Sequence, residues 1–146
     1  MTDTDERHFA RAEVSANPDL VLAYMTDAAR IGRWNLGAME AIRLPSGAVQ
    51  GTSLFDGSTT VFEFVAGAAD PKSKSRTVDY RVGKDLGNLA LRVSARIEEA
   101  DGGGCTLILS AERPRDMDDA RWARLCLTHD VEVLLIKSQA ETEAAM

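Results

Sequence analysis

The chain has 146 residues, 45% of them hydrophobic and 27% charged, with a formal net charge of −6. A chain of that length buries roughly 70% of its unfolded surface, and its hydrophobic content lies outside the regime of disorder, so one packed domain over residues 1–146 is expected. No basic stripe with interleaved aromatics offsets the negative charge, which argues against nucleic acid; the acidic start lacks a signal core and no apolar run approaches the ~18 residues of a membrane span, so a cytoplasmic location without membrane insertion is expected.

Residues 1–7 read as a solvated, flexible leader. Phe9, Arg11 and Glu13 then alternate with Ala10, Ala12 and Val14, the period of a strand. Asn17 can accept hydrogen bonds from helical amides, Pro18 has the fixed φ of a first turn, and Asp19 complements the helix dipole, which predicts a helix from Pro18 to about Thr26. Asp27 can cap a second short helix to Trp34, ended by Asn35-Leu36-Gly37.

From Gly37 to Glu112 short alternating runs are divided by Pro45-Ser46-Gly47, Asp56-Gly57, Ala69-Asp70-Pro71, Gly83 to Gly87 and Asp101 to Gly104, which predicts six further strands. Val78, Tyr80 and Val82 oppose Asp79 and Arg81; Leu89, Leu91, Val93, Ala95 and Ile97 oppose Arg92, Ser94, Arg96 and Glu98; Cys105, Leu107, Leu109 and Ala111 oppose Thr106, Ser110 and Glu112. One apolar and one wet face specify an antiparallel sheet buried on one side. Gly102-Gly103-Gly104 joins two strands and reads as a hairpin turn, not a phosphate loop. Lys72, Lys74 and Arg76 read as a solvated connection.

The cover for that sheet is the last segment, with Asp116 as cap, Asp118 and Asp119 in its first turn, and helical periodicity to about Gln139. At 1.5 Å rise per residue this is roughly 35 Å long. One of its faces carries Trp122, Leu125, Cys126, His129, Val133, Ile136 and Ala140. A second stripe of Leu127, Val131, Leu134 and Leu135 is set off by Asp130 and Lys137 on one flank and by Thr128, Glu132 and Gln139 on the other. A cover needs one stripe; the second predicts burial by curling sheet edges or by a second copy, a homodimer.

The order strand, two short helices, six strands, long C-terminal helix resembles the START-like superfamily, the helix-grip or birch-pollen-allergen-like α+β fold, and in particular its bacterial polyketide cyclase/dehydratase and lipid-transport branch. Three local matches carry the resemblance: Ser15-Ala16-Asn17-Pro18 leading into Val21 to Asp27, the Asp27, Arg30, Trp34 spacing, and Val49-Gln50-Gly51-Thr52-Ser53. The likeness covers roughly residues 8 to 140. It implies a curved seven-stranded antiparallel sheet gripping the helix, with a cavity between them. Members of the superfamily carry apolar ligands, cyclise polyketides or only bind proteins, and no universal catalytic residue transfers.

His129 is the one polar member of the covering stripe; it is read either as a core histidine bonded to a carbonyl or as a ligand contact that could move a proton near neutral pH. Cys126 neighbours it on the helix, but a Cys-His nucleophile needs a thiolate-stabilising setting and an orienting third group, and neither is evident. Tyr80 lies on an apolar strand face, where its hydroxyl must satisfy a core acceptor or grip a ligand. Phe62, Phe64, Trp34 and Trp122 complete a candidate aromatic lining, with core packing as the alternative for each. Cys105 and Cys126 are expected reduced and buried. His8, near a frayed start, and His129 offer no metal-ligand spacing, and no cofactor is expected. The leading expectation is binding of an apolar or amphipathic small molecule. The alternatives are a cyclase, aromatase or dehydratase of polyketide type, and a protein-interaction module with a filled core.

Overall fold

A computed structural model describes residues 6–70 and 74–146. The period-two segments all enter one sheet: β1 (Arg7–Val14), β2 (Met39–Arg43), β3 (Val49–Thr52), β4 (Thr59–Asp70), β5 (Ser75–Gly83), β6 (Ala90–Glu99) and β7 (Cys105–Glu112), in the spatial order β1-β7-β6-β5-β4-β3-β2 with every pair antiparallel. Between β1 and β2 lie the short helices α1 (Pro18–Thr26) and α2 (Ala28–Ile31), and α3 (Asp119–Ala144) follows the last strand. This is the expected α+β helix-grip architecture.

The N-terminal caps of the short helices form as the residue types require. Asn17 Oδ1 accepts the Asp19 N–H at 2.7 Å, and Asp27 Oδ2 accepts the Arg30 N–H at 3.2 Å. Helix α2 stops at Ile31, short of the predicted Trp34, because Arg33 and Trp34 donate three residues back to Arg30 and Ile31 in tighter turns. Its Trp34 indole N–H donates to the Tyr24 carbonyl at 2.7 Å, locking the helix pair. Gly51 serves a close approach: a Cβ there would stand 2.5 Å from the Ala38 carbonyl carbon.

Several expectations are corrected. Arg7 and His8 belong to β1 opposite Glu112 and Ala111, and His8 Nε2 lies 2.8 Å from Asp130 Oδ1, so neither is part of a frayed start; residues 1–5 of the expected leader lie outside the described residues. Of the basic cluster, Lys72 lies outside the described residues, whereas Arg76 is a strand residue whose guanidinium meets Asp19 at 2.9 Å. The cap of α3 is Asp118, whose carboxylate accepts the Arg121 N–H at 2.8 Å; Asp116 sits within the preceding turn. The helix also runs past Gln139 to Ala144, held by tertiary bonds: Glu141 accepts the Ser15 N–H at 2.8 Å, and Glu143 accepts from Tyr24 Oη and Arg30, both at 2.9 Å.

The alternation predicted for β6 fails at its start. Tyr80 pairs with Val93 but Arg81 with Leu91, so Arg92 is the extra residue of a bulge. Leu91 is consequently 59% exposed, whereas Ala95 and Ile97 beyond the bulge are buried as predicted.

Candidate functional site

Helix α3 treats the sheet differently along its length. Its C-terminal half contributes Val133, Ile136 and Ala140 to a continuous apolar cluster with Val21, Met25, Val78, Ile97 and Leu107. Toward its N-terminus the inward positions become Leu125, Thr128, His129 and Glu132, and a pocket of about 440 Å³ lies between them and the sheet. Its apolar wall includes Trp34 from the turn after α2, Phe62 of β4, Tyr80 and Val82 of β5, Val93 of β6 and Leu109 of β7. The volume lies in the range of small-molecule sites, which combine apolar walls with a few placed polar groups.

Two of the aromatic residues have their polar atoms committed. Tyr80 is buried, and its hydroxyl donates to the Met25 carbonyl at 2.5 Å; burial first, and the neighbouring Glu132 second, hold the phenol well above its ordinary range. The Trp34 indole N–H is held by the Tyr24 carbonyl. Edge-on packing of Phe62 against Tyr80, with centroids 6.0 Å apart, stiffens that wall.

His129 and Glu132 are the polar residues at depth. His129 is buried, its Nδ1 has no hydrogen-bond partner among the described residues, and burial pushes its pKa down to about 4. Glu132 is buried too; one carboxyl oxygen accepts the Leu36 N–H at 3.0 Å, and burial nonetheless lifts its pKa to about 8. Desolvation disfavours the charged form of both groups, so at neutral pH the pocket holds an uncharged imidazole and a protonated carboxyl, three residues apart on one helix. A carboxylic acid in that state donates a hydrogen bond.

The structure brings together Trp34, Phe62, Tyr80 and His129 as pocket residues. Phe64, Trp122 and Cys126 are not in its lining. Phe64 is half-buried farther along β4, 6.2 Å from the Tyr80 ring and under the Arg43 guanidinium. Trp122 is buried on α3, and Cys126 is half-buried rather than buried, with its thiol pushed up by burial, then by Asp130 and Glu6, away from the thiolate a nucleophile needs. Cys105 is buried, and both cysteines are free. Sequence reasoning missed Glu132 and Arg92. Glu132 carried one usable signal, its spacing of three from His129; Arg92 carried none, because only the bulge turns it toward the pocket.

Among the described residues no group of three or more His, Cys, Asp or Glu is placed to hold a metal ion, and no helix is long and apolar enough to cross a membrane. A seven-stranded sheet gripping a long helix, with a half-apolar pocket at one end, defines a helix-grip protein.

No family model and no curated protein matches the chain. Solved structures do match its fold. A structural-genomics protein from Chromobacterium violaceum superposes with a TM-score of 0.63 at 12% identity, covering 94% of this chain and 99% of that one. The Aha1 dimer from Colwellia psychrerythraea gives 0.64 at 14% identity, covering 93% and 96%. A protein of the dynemicin biosynthetic locus gives 0.60 at 17% identity, covering 97% of this chain but only 49% of its own. At these identities the likeness is one of fold alone.

Proposed function

We propose that this chain is a START-like small-molecule binding protein that takes an apolar or amphipathic ligand in the pocket between α3 and the sheet. The observation that carries the reading is the pocket of about 440 Å³, walled by Trp34, Phe62, Tyr80, Val93 and Leu109 and furnished at depth with His129 and Glu132. Apolar burial at about 25 cal/mol per Å² supplies affinity, and the two polar groups fix orientation. Native mass spectrometry of freshly purified protein tests it: a retained small molecule that leaves on denaturation is the expected result. A ligand-free spectrum together with no binding across a library of apolar and amphipathic compounds contradicts it.

A second reading has its own observation in favour. His129 and Glu132 hold pKa values pushed in opposite directions from their ordinary ones, the arrangement of a base and an acid that exchange protons with a substrate. In a cyclase of polyketide type, His129 would abstract a proton from a carbon flanked by carbonyls, the enolate would attack a second carbonyl carbon of the same chain, and Glu132 would protonate that carbonyl's oxygen, first to the aldol hydroxyl and then to the water that leaves. Glu132→Gln discriminates between the readings. It keeps a hydrogen bond for a carrier but removes the proton, so loss of water from a poly-β-ketoacyl thioester would stop in an enzyme while ligand binding stays within a few-fold.

We also propose a homodimer through the outer stripe of α3. Leu127, Val131 and Leu134 are exposed there at 64%, 44% and 58%, an area of contiguous apolar surface that water covers at a cost. Leu135, the fourth residue of the predicted stripe, instead packs partly against the core.

A further inference from the structure

The pocket's rim departs from the charge of the whole chain. Against a formal net charge of −6, Lys84, Arg92, Arg121 and Arg124 are among the residues that line the pocket. Lys84 is engaged with Ser58 Oγ. The guanidinium groups of Arg92, Arg121 and Arg124 make no salt bridge and no hydrogen bond among the described residues, although exposed arginines elsewhere in the chain, such as Arg11 and Arg96, find carboxylates. The Arg124 guanidinium is instead stacked over the Phe55 ring at 5.1 Å, which narrows its freedom without neutralising it.

The acidic residues of the rim do not fill that role. Asp56 accepts both the N–H and the hydroxyl of Ser58, and Glu112 lies 3.6 Å from Arg7 on the neighbouring strand. Only Asp116 lacks a partner among the described residues. The opposite end of the pocket supplies an independent observation: His129 is 6% exposed, lines the pocket and leaves Nδ1 without a partner. Its Nδ1 is covered as well as unpaired, so a ligand oxygen completes it only where the lining shifts to admit one. Arg124 and Glu132 are eight residues apart on α3, which sets the two ends about 12 Å apart along the helix axis.

We propose that the pocket recognises an amphipathic carboxylic acid with a second oxygen at its far end: the carboxylate at the mouth with Arg92, Arg121 and Arg124, an apolar body along the wall, and a hydroxyl or carbonyl hydrogen-bonded at His129 and Glu132. A guanidinium fork matches a carboxylate geometrically, and Arg is more weakly hydrated than Lys, so three free ones at an apolar mouth select an oxyanion over a neutral or cationic head. The bulge in β6 acquires a purpose in this arrangement, since it turns Arg92 toward the pocket beside the apolar Val93. This proposal rests on the reading of the pocket as a small-molecule site and adds the chemistry of what enters it.

Isothermal titration calorimetry at pH 7 with 10-hydroxydecanoate, decanoate, 1-decanol and decyltrimethylammonium tests it. The expected order is 10-hydroxydecanoate tightest, then decanoate, then decanol at about tenfold weaker than decanoate, with the cation weakest, because a charge-assisted hydrogen bond is worth about that factor. In the triple variant Arg92→Gln, Arg121→Gln, Arg124→Gln, decanoate loses about tenfold while decanol is unchanged. In His129→Leu the advantage of the hydroxy acid over decanoate disappears. Equal binding of decanol and decanoate to the unaltered protein overturns the proposal and leaves the small-molecule reading standing; no binding by any of the four also overturns the proposal, and the small-molecule reading falls with it only where the wider compound library fails as well. If the triple variant does not fold, the order of the four probes on the unaltered protein decides.

Discussion

Glu132 remains in the interior because it can keep its proton. Its folded pKa of about 8 against an ordinary 4.5 means that the native state holds a proton the unfolded chain has already released between those values. Stability from this group is therefore full below about pH 4.5, declines as pH rises and is lost by about pH 8. His129 works in the opposite sense: with a folded pKa of about 4 against 6.5, its contribution is full above pH 6.5 and is lost as pH falls toward 4. The two partly cancel between pH 4.5 and 6.5, so the informative quantity is a difference between proteins. Urea unfolding of Glu132→Gln against the unaltered chain should show the variant gaining relative stability from pH 5 to pH 9; a constant difference would contradict the assignment. Tyr80→Phe leaves the Met25 carbonyl without its buried donor and should cost about 1–3 kcal/mol in the same measurement at pH 7. Of these residues, Tyr80 and His129 were legible as polar atoms on apolar faces. Glu132 offered only its spacing of three from His129, because helical projection assigns it to the polar flank and only the depth of the sheet's grip decides that the flank is buried.

At the scale of elements, capping chemistry and strand alternation were legible wherever local forces set the outcome. Asn17, Pro18 and Asp27 fix α1 and α2, and the alternating runs of β5 and β7 point as their sequences dictate. Misreadings occur where tertiary contacts decide. Periodicity ends α3 near Gln139, yet Glu141 and Glu143 extend it by bonding across to Ser15, Tyr24 and Arg30. Glu143→Ala should therefore release the last turn, with faster amide hydrogen exchange confined to residues 139–144 and to α1 and α2. The β6 bulge is the larger misreading. A period-two pattern carries no mark of one extra residue, so Leu91 is assigned inward and Arg92 outward although the bulge exposes Leu91 and brings Arg92 to the pocket.

Over the whole molecule, the same helix presents three environments: a dry core at its C-terminal half, a pocket at its N-terminal half, and an exposed apolar stripe on the far side. The stripe predicts association. Sedimentation velocity should show a concentration-dependent shift from monomer to dimer that Leu134→Asp abolishes; a concentration-independent monomer mass contradicts it. The pocket predicts occupancy, and a substitution that fills it provides the test. Val93→Trp projects a large ring into the pocket from a half-buried position on β6. Titration of the two proteins with 1-anilinonaphthalene-8-sulfonate, an aromatic anion, reads the difference directly. Saturable one-to-one binding to the unaltered chain, weakened at least about tenfold by Val93→Trp at an unchanged unfolding midpoint, is the predicted result; equal binding to both proteins, or none to either, would contradict a ligand site between the sheet and α3.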